Sequence, residues 1–74
     1  MQYDPVKANE PLLAEIAECC AHTGMTKTAF GERVMNDKRF VFDLEAGRQI
    51  TQKTLHRVRH GIMLASAIMG REAR

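Results

Sequence analysis

The sequence has no Trp, a single Tyr and three Phe among its 74 residues. Any core it builds must therefore rest on Leu, Ile, Val, Met and Ala. A chain this short forms one domain and buries a modest fraction of its surface, so a partner subunit would add to its stability. Its two cysteines, Cys19 and Cys20, are adjacent, and a disulfide between neighbours strains the peptide that joins them. No CxxC or Cys/His cluster at metal-ligand spacing accompanies them. They read as reduced thiols, one facing the core and the other near its edge, and neither metal nor other cofactor is expected. A Ser/His/Asp grouping, a paired-carboxylate pocket, a P-loop and a glycine fingerprint are also lacking, which argues against an enzyme. The opening MQYDPVKANEPLL lacks the basic-then-apolar order of a secretory leader. No run of about 18 apolar residues is present to span a membrane. Internal repeats and low-complexity stretches are absent too, and the expected compartment is the reducing cytoplasm.

Net charge is also scarce, at +2, but it is unevenly placed. Residues 1 to 23 carry Lys7 against Asp4, Glu10, Glu15 and Glu18, whereas residues 24 to 61 carry eight Lys or Arg against four acids. A half that faces nucleic acid, backed by a half that does not, would produce this asymmetry. Solvated helix faces with random charge fluctuation are the alternative.

What is present reads as helix throughout, with no disorder expected. Residues 1 to 8 read as an arm, irregular or docked through Tyr3 and Val6. Asn9 is placed to cap a helix over roughly residues 10 to 23, whose stripe is Leu12, Leu13, Ile16, Ala17, Cys20 and Ala21, with Gly24 ending it. His22, in the last turn, suits the helix dipole. Thr26 can cap a second helix over Lys27 to Met35, in which Gly31 costs about 1 kcal/mol of helix propensity relative to Ala. Such a glycine implies close approach to the following helix. Asp37 is placed to cap a third helix, Lys38 to Ala46, closed by Gly47, with Val41, Leu44 and part of Phe40 inward. Lys38, Arg39, Phe42 and Asp43 then point outward. Two cations at a helix N-terminus oppose its dipole unless an anion lies there, and the phosphates of DNA would supply one. An outward Phe42 could meet a thymine methyl, or it could pack on a neighbouring helix.

Thr51 offers a further cap for a fourth helix from about Gln52 to Met69, with Gly61 as a possible break. Leu55, Val58, Ile62, Ala65 and Met69 form its stripe, widened by Met63, Leu64 and Ile68. This tail is more apolar than a lone terminal helix requires, so it either folds back over the first helix or meets its counterpart in a second chain. The second option puts Ile62, Ala65, Ile68 and Met69 at a homodimer interface. His56 and His60 lie one turn apart but lack a third ligand, and they read as an exposed or DNA-proximal face.

The chain thus reads as one all-α domain: the arm at 1–8, a helix-turn-helix core at 9–60 and a C-terminal helix at 61–74. Gly24-Met25-Thr26-Lys27, Phe30-Gly31-Glu32-Arg33-Val34, Leu44-Glu45-Ala46-Gly47-Arg48 and Thr54-Leu55-His56-Arg57-Val58 together resemble the Cro/C1-type (lambda-repressor-like, XRE) helix-turn-helix domain. That family reads Gly-Leu-Thr-Gln, then Leu-Ala-Glu-Arg-Leu-Gly, Ile-Glu-x-Gly-Arg and Glu-Thr-Leu-x-x-Ile. The resemblance covers about half the chain. It departs where Met35 replaces a glycine, where Phe40 replaces a small polar residue, and in lacking a separate fifth helix. The resemblance implies a four- to five-helix fold and a bacterial or prophage transcriptional regulator that binds double-stranded DNA as a homodimer. Lys38, Arg39 and Phe42 would meet base edges, Thr26, Lys27 and Arg48 would hold phosphates, and Val41 and Leu44 would anchor the reading helix. The rival expectation is a small antitoxin-like or adaptor module that binds a protein through the apolar tail. No membrane partner and no small-molecule ligand are expected in either case.

Overall fold

A computed structural model describes residues 4–72, with side chains as far as Ile68. It consists of α1 (Pro5–Thr23), α2 (Lys27–Met35), α3 (Phe40–Glu45) and α4 (Gln52–Glu72). No strand occurs among the described residues.

The first helix begins five residues earlier than the sequence suggested. Asp4 accepts the amides of Val6 and Lys7 at 3.0 and 3.3 Å, and Pro5 takes the first helical position, where its missing N–H and fixed φ cost nothing. The segment expected to be an arm is therefore helix from Pro5 onward, and Tyr3 lies outside the described residues. Asn9 does not cap. It sits inside α1, and its amide donates to the carbonyls of Leu44 and Arg48 at 3.0 and 2.8 Å. The early start has a tertiary cause: Gly47, at φ 100°, brings its Cα close to Pro5 and Val6, so the first turn of α1 has something to pack on. Pro11 removes one bond from the helix interior, but it does so on an exposed turn. The buried stripe of α1 is Leu12, Ile16 and Cys19, rotated from the expected one: Cys20 is half-buried, and Ala17 and Ala21 are exposed.

Thr26 caps α2 as its sequence suggests, accepting the Ala29 amide at 3.1 Å. The helix ends on Asn36, at φ 53°, a left-handed position that Asn tolerates better than most residues. Met35 therefore stays helical, and Asn36 takes the left-handed position that ends α2. α3 is shorter than expected and starts at Phe40, because Asp37 folds the preceding residues into a turn instead of capping a helix. One of its carboxylate oxygens accepts the Arg39 amide at 3.0 Å, and its carbonyl accepts that of Phe40 at 3.1 Å. Lys38 and Arg39 thus precede the helix.

Gly31 is where α2 and this turn meet. A Cβ there would run into the Asp37 carbonyl and lie 3.4 Å from the Phe40 Cβ, while the Gly31 carbonyl accepts the Asp37 amide at 3.1 Å. The close neighbour is thus first the turn and only then α3. Thr51 caps α4 through the Thr54 amide at 3.2 Å. Gly61 does not break α4: it is the crossing point with α2, where a Cβ would collide with Val34. α4 lies along α1, with Ser66 Oγ 3.7 Å from Cys19 Sγ and an Arg59–Glu15 ion pair at 3.0 Å, so the apolar tail does fold back on the first helix.

Phe30, Phe40, Ile16, Leu44, Val41 and Val58 have their side chains fully buried at the centre, each worth about 1.5–3 kcal/mol. Three of the six belong to α3, a helix of six residues. Its position is accordingly set by the core and not by its own helical stability.

Candidate nucleic-acid interface

Because Phe40, Val41 and Leu44 are locked inward, the rest of α3 and the segments flanking it are left facing outward. Val41 and Leu44 are inward as expected, while Phe40 is buried completely instead of in part. Lys38 and Arg39 stand exposed at the entry to α3, with no carboxylate partner for their side chains among the described residues. The other expected contact residues are engaged within the chain. Arg48 places Nη1 3.2 Å from Asp37 and 3.5 Å from Asp43, with its guanidinium 5.5 Å from the centroid of the Phe40 ring. Lys27 Nζ is 2.6 Å from Glu45 Oε2 and 5.9 Å from the centroid of Phe42. Phe42 is 44% exposed, with the Lys27 ammonium over its ring. The Thr26 hydroxyl caps α2, its lone pair turned to the Ala29 amide.

Two small clusters therefore flank α3: Arg48 with Asp37 and Asp43 on one side, Lys27 with Glu45 and Phe42 on the other. Asp37 joins the first cluster to the entry turn, since one oxygen takes the Arg39 amide and the other the Arg48 guanidinium. Asn9 holds the Arg48 backbone from below. The sequence reading gave Asp37 a capping role, placed Asp43 outward and gave none of the carboxylates an ion-pair partner, and of the ion pairs only Asp43–Arg48, five residues apart, leaves any local trace. Asn9 did leave a signal, as a polar residue on the same helical stripe as Leu12 and Ile16. All these ion pairs are exposed, and such pairs are worth about 0–1 kcal/mol each. A phosphate can therefore displace a carboxylate at little cost, and Arg is suited to hold it bidentately.

The residues expected at a dimer interface divide. Ile62 and Ala65 pack against this chain's own core, Ile68 is 58% exposed, and the Met69 side chain lies outside the described residues. Exposed Met63 and Leu64 flank that face on α4. Beside it a groove of about 390 Å³ opens between α2 and α4, a feature with no counterpart in the sequence reading. Cys19 is buried and Cys20 half-buried. Burial pushes the Cys20 thiol up, its neighbour Cys19 adds to this, and Lys27 opposes it, so at neutral pH the group is a thiol and not a thiolate. His56 and His60 are exposed on α4, and no grouping of three or more His, Cys, Asp or Glu suited to a metal occurs among the described residues. No described helix is long and apolar enough to cross a membrane.

No protein-family model, no curated protein and no solved structure matches the chain.

Proposed function

We propose that this chain is a sequence-specific, double-stranded DNA-binding transcriptional regulator with a lambda-repressor-like helix-turn-helix, and that it engages its operator as a homodimer. The observation that supports this most is the pair Lys38 and Arg39: exposed and free of carboxylate partners among the described residues, at the entry of a helix whose other face is buried. In this reading α3 enters the major groove, Arg39 or Lys38 pairs with guanine O6 and N7, and Phe42 lies against a thymine methyl. Lys27 and Arg48 exchange their carboxylates for phosphates on either flank, and Thr26 adds a hydroxyl at the start of α2. The carboxylates left behind repel the backbone and lower affinity for wrong sequences, which is a specificity device. A six-residue α3 reads few base pairs, so a second copy on the other half-site supplies the remaining affinity.

The test is selection of fragments from the source genome by the purified protein at about 0.15 M salt, where non-specific phosphate binding is already weakened. Recovery of an inverted repeat with half-sites about one helical turn apart is the expected result. A salt-sensitive background without a common sequence would overturn the reading. The second reading, a protein-interaction module, is favoured by one observation, the groove between α2 and α4.

A further inference from the structure

The α2–α4 groove is apolar along one stretch and cationic along another. Its floor is Val34, Ala65 and the bare backbone of Gly61, and Leu64 and Ile68 line it toward the C-terminal end of α4. Arg57 and His60 line it toward the N-terminal end of α4, and Arg33 lines it from α2. Neither arginine has a carboxylate partner among the described residues, in contrast to Arg48 and Arg59. The lining from Arg57 to Ile68 extends for about 16 Å at the rise of an α-helix, or three turns. Leu64 and Ile68 are 50% and 58% exposed, more than single-helix packing within one chain needs.

We propose that the groove between α2 and α4 docks an acidic amphipathic helix of a protein partner. Its apolar side chains, spaced one turn apart, would cover Leu64 and Ile68, and a carboxylate cluster at one end would meet Arg33, Arg57 and His60. Charge selects this occupant over the others. A second copy could offer α4, which contributes no carboxylate to the groove, or the acidic α1, whose outward face carries one exposed large hydrophobic, Val6, beside Ala14, Ala17 and Ala21, too little apolar surface to cover both Leu64 and Ile68. A small amphiphile would keep much of its surface in water in so open a trench, whereas small-ligand pockets bury roughly 70–90% of their ligand. Docking here is separate from the α3 end, so it stands or falls independently of DNA binding.

The experiment titrates the isotope-labelled protein with a synthetic peptide of about 15 residues, long enough for a helix of several turns. The peptide carries Glu at one end and Leu at i, i+3, i+4 and i+7, and its twin carries Lys in place of every Glu. The expected result is saturable binding of the Glu peptide alone, with amide shifts centred on Val34, Gly61 and Leu64. Arg33→Glu with Arg57→Glu should weaken it about tenfold or more, whereas Lys53→Glu, on α4 outside the groove, should not. Equal binding of the Lys twin, or binding of neither, overturns the proposal. So does a dimer of the protein alone that protects the same amides, which assigns the groove to a second copy. Decanoate producing the same shifts and displacing the Glu peptide overturns it in favour of a small amphiphile.

Discussion

The two cations that flank α3 are held by carboxylates, Lys27 by Glu45 and Arg48 by Asp37 and Asp43, whereas Lys38 and Arg39 at its entry, and Arg33 and Arg57 along the α2–α4 groove, have none among the described residues. The two regions use positive charge differently. At the α3 end pairing fixes where each flanking cation sits and damps the local field, so under the proposed function discrimination would fall to Lys38 and Arg39. In the groove the field is left standing over an apolar floor, and a matching anion with an apolar body gains from both. Paired cations hold a fixed place and a damped field, and unpaired ones leave their field open to an incoming anion.

The strongest way to break this contrast is to dismantle one side of it. Gly31→Ala drives a Cβ into the Asp37 carbonyl, backbone that cannot swing aside as a side chain could. A loss of about 3 kcal/mol is expected, seen as a fall in Tm of about 12 °C or more. An unchanged Tm would mean the entry turn is not fixed against α2. Arg39→Ala sharpens the contrast: specific DNA binding should weaken by about 1–3 kcal/mol while peptide binding in the groove stays as it was. If the ratio of specific to non-specific affinity survives the change, Arg39 does not read a base. Asn9→Ala removes two hydrogen bonds beneath Arg48 and should cost about 1–2 kcal/mol in chemical denaturation. Leu44 keeps its bond from the Gly47 amide at 3.1 Å, which holds the loss to that range. Smallest, Asp43→Asn with Glu45→Gln should shift stability by less than about 1 kcal/mol yet tighten binding to random DNA. Lys27→Ala should flatten the salt dependence of DNA binding by about one unit of slope. Random-DNA affinity that ignores the loss of both acids would remove the specificity role given to them.

How much of this was legible depended on how far apart in sequence the cause lay. The bounds of α2 follow from signals within ten residues, the Thr26 hydroxyl before it and Asn36 after it, and they stand where the sequence put them. The sequence reading started α1 at the Asn9-Glu10-Pro11 cap and missed Asp4-Pro5, which caps the helix where Gly47, far along the chain, approaches that first turn. For α3 the residue was right and the role was not, since Asp37 bonds two residues ahead and delays the helix. The inward positions Val41 and Leu44 were readable from their spacing, whereas complete burial of Phe40 needed α2 to be in place. The Lys27–Glu45 and Arg48–Asp37 pairs, and the groove made where Val34 meets Gly61, join segments that no local pattern relates.

Asp37 divides its labour between two oxygens, one on the Arg39 amide and the other on the Arg48 guanidinium. Mechanically this has the form of a quick-release latch. Were Arg48 to take another anion, as the proposed function requires, only one jaw would open, and the grip on the Arg39 amide would stay closed. The side chains at the entry of α3 can then hold their aim while the flank beside them lets go, so engagement and alignment need not be the same event.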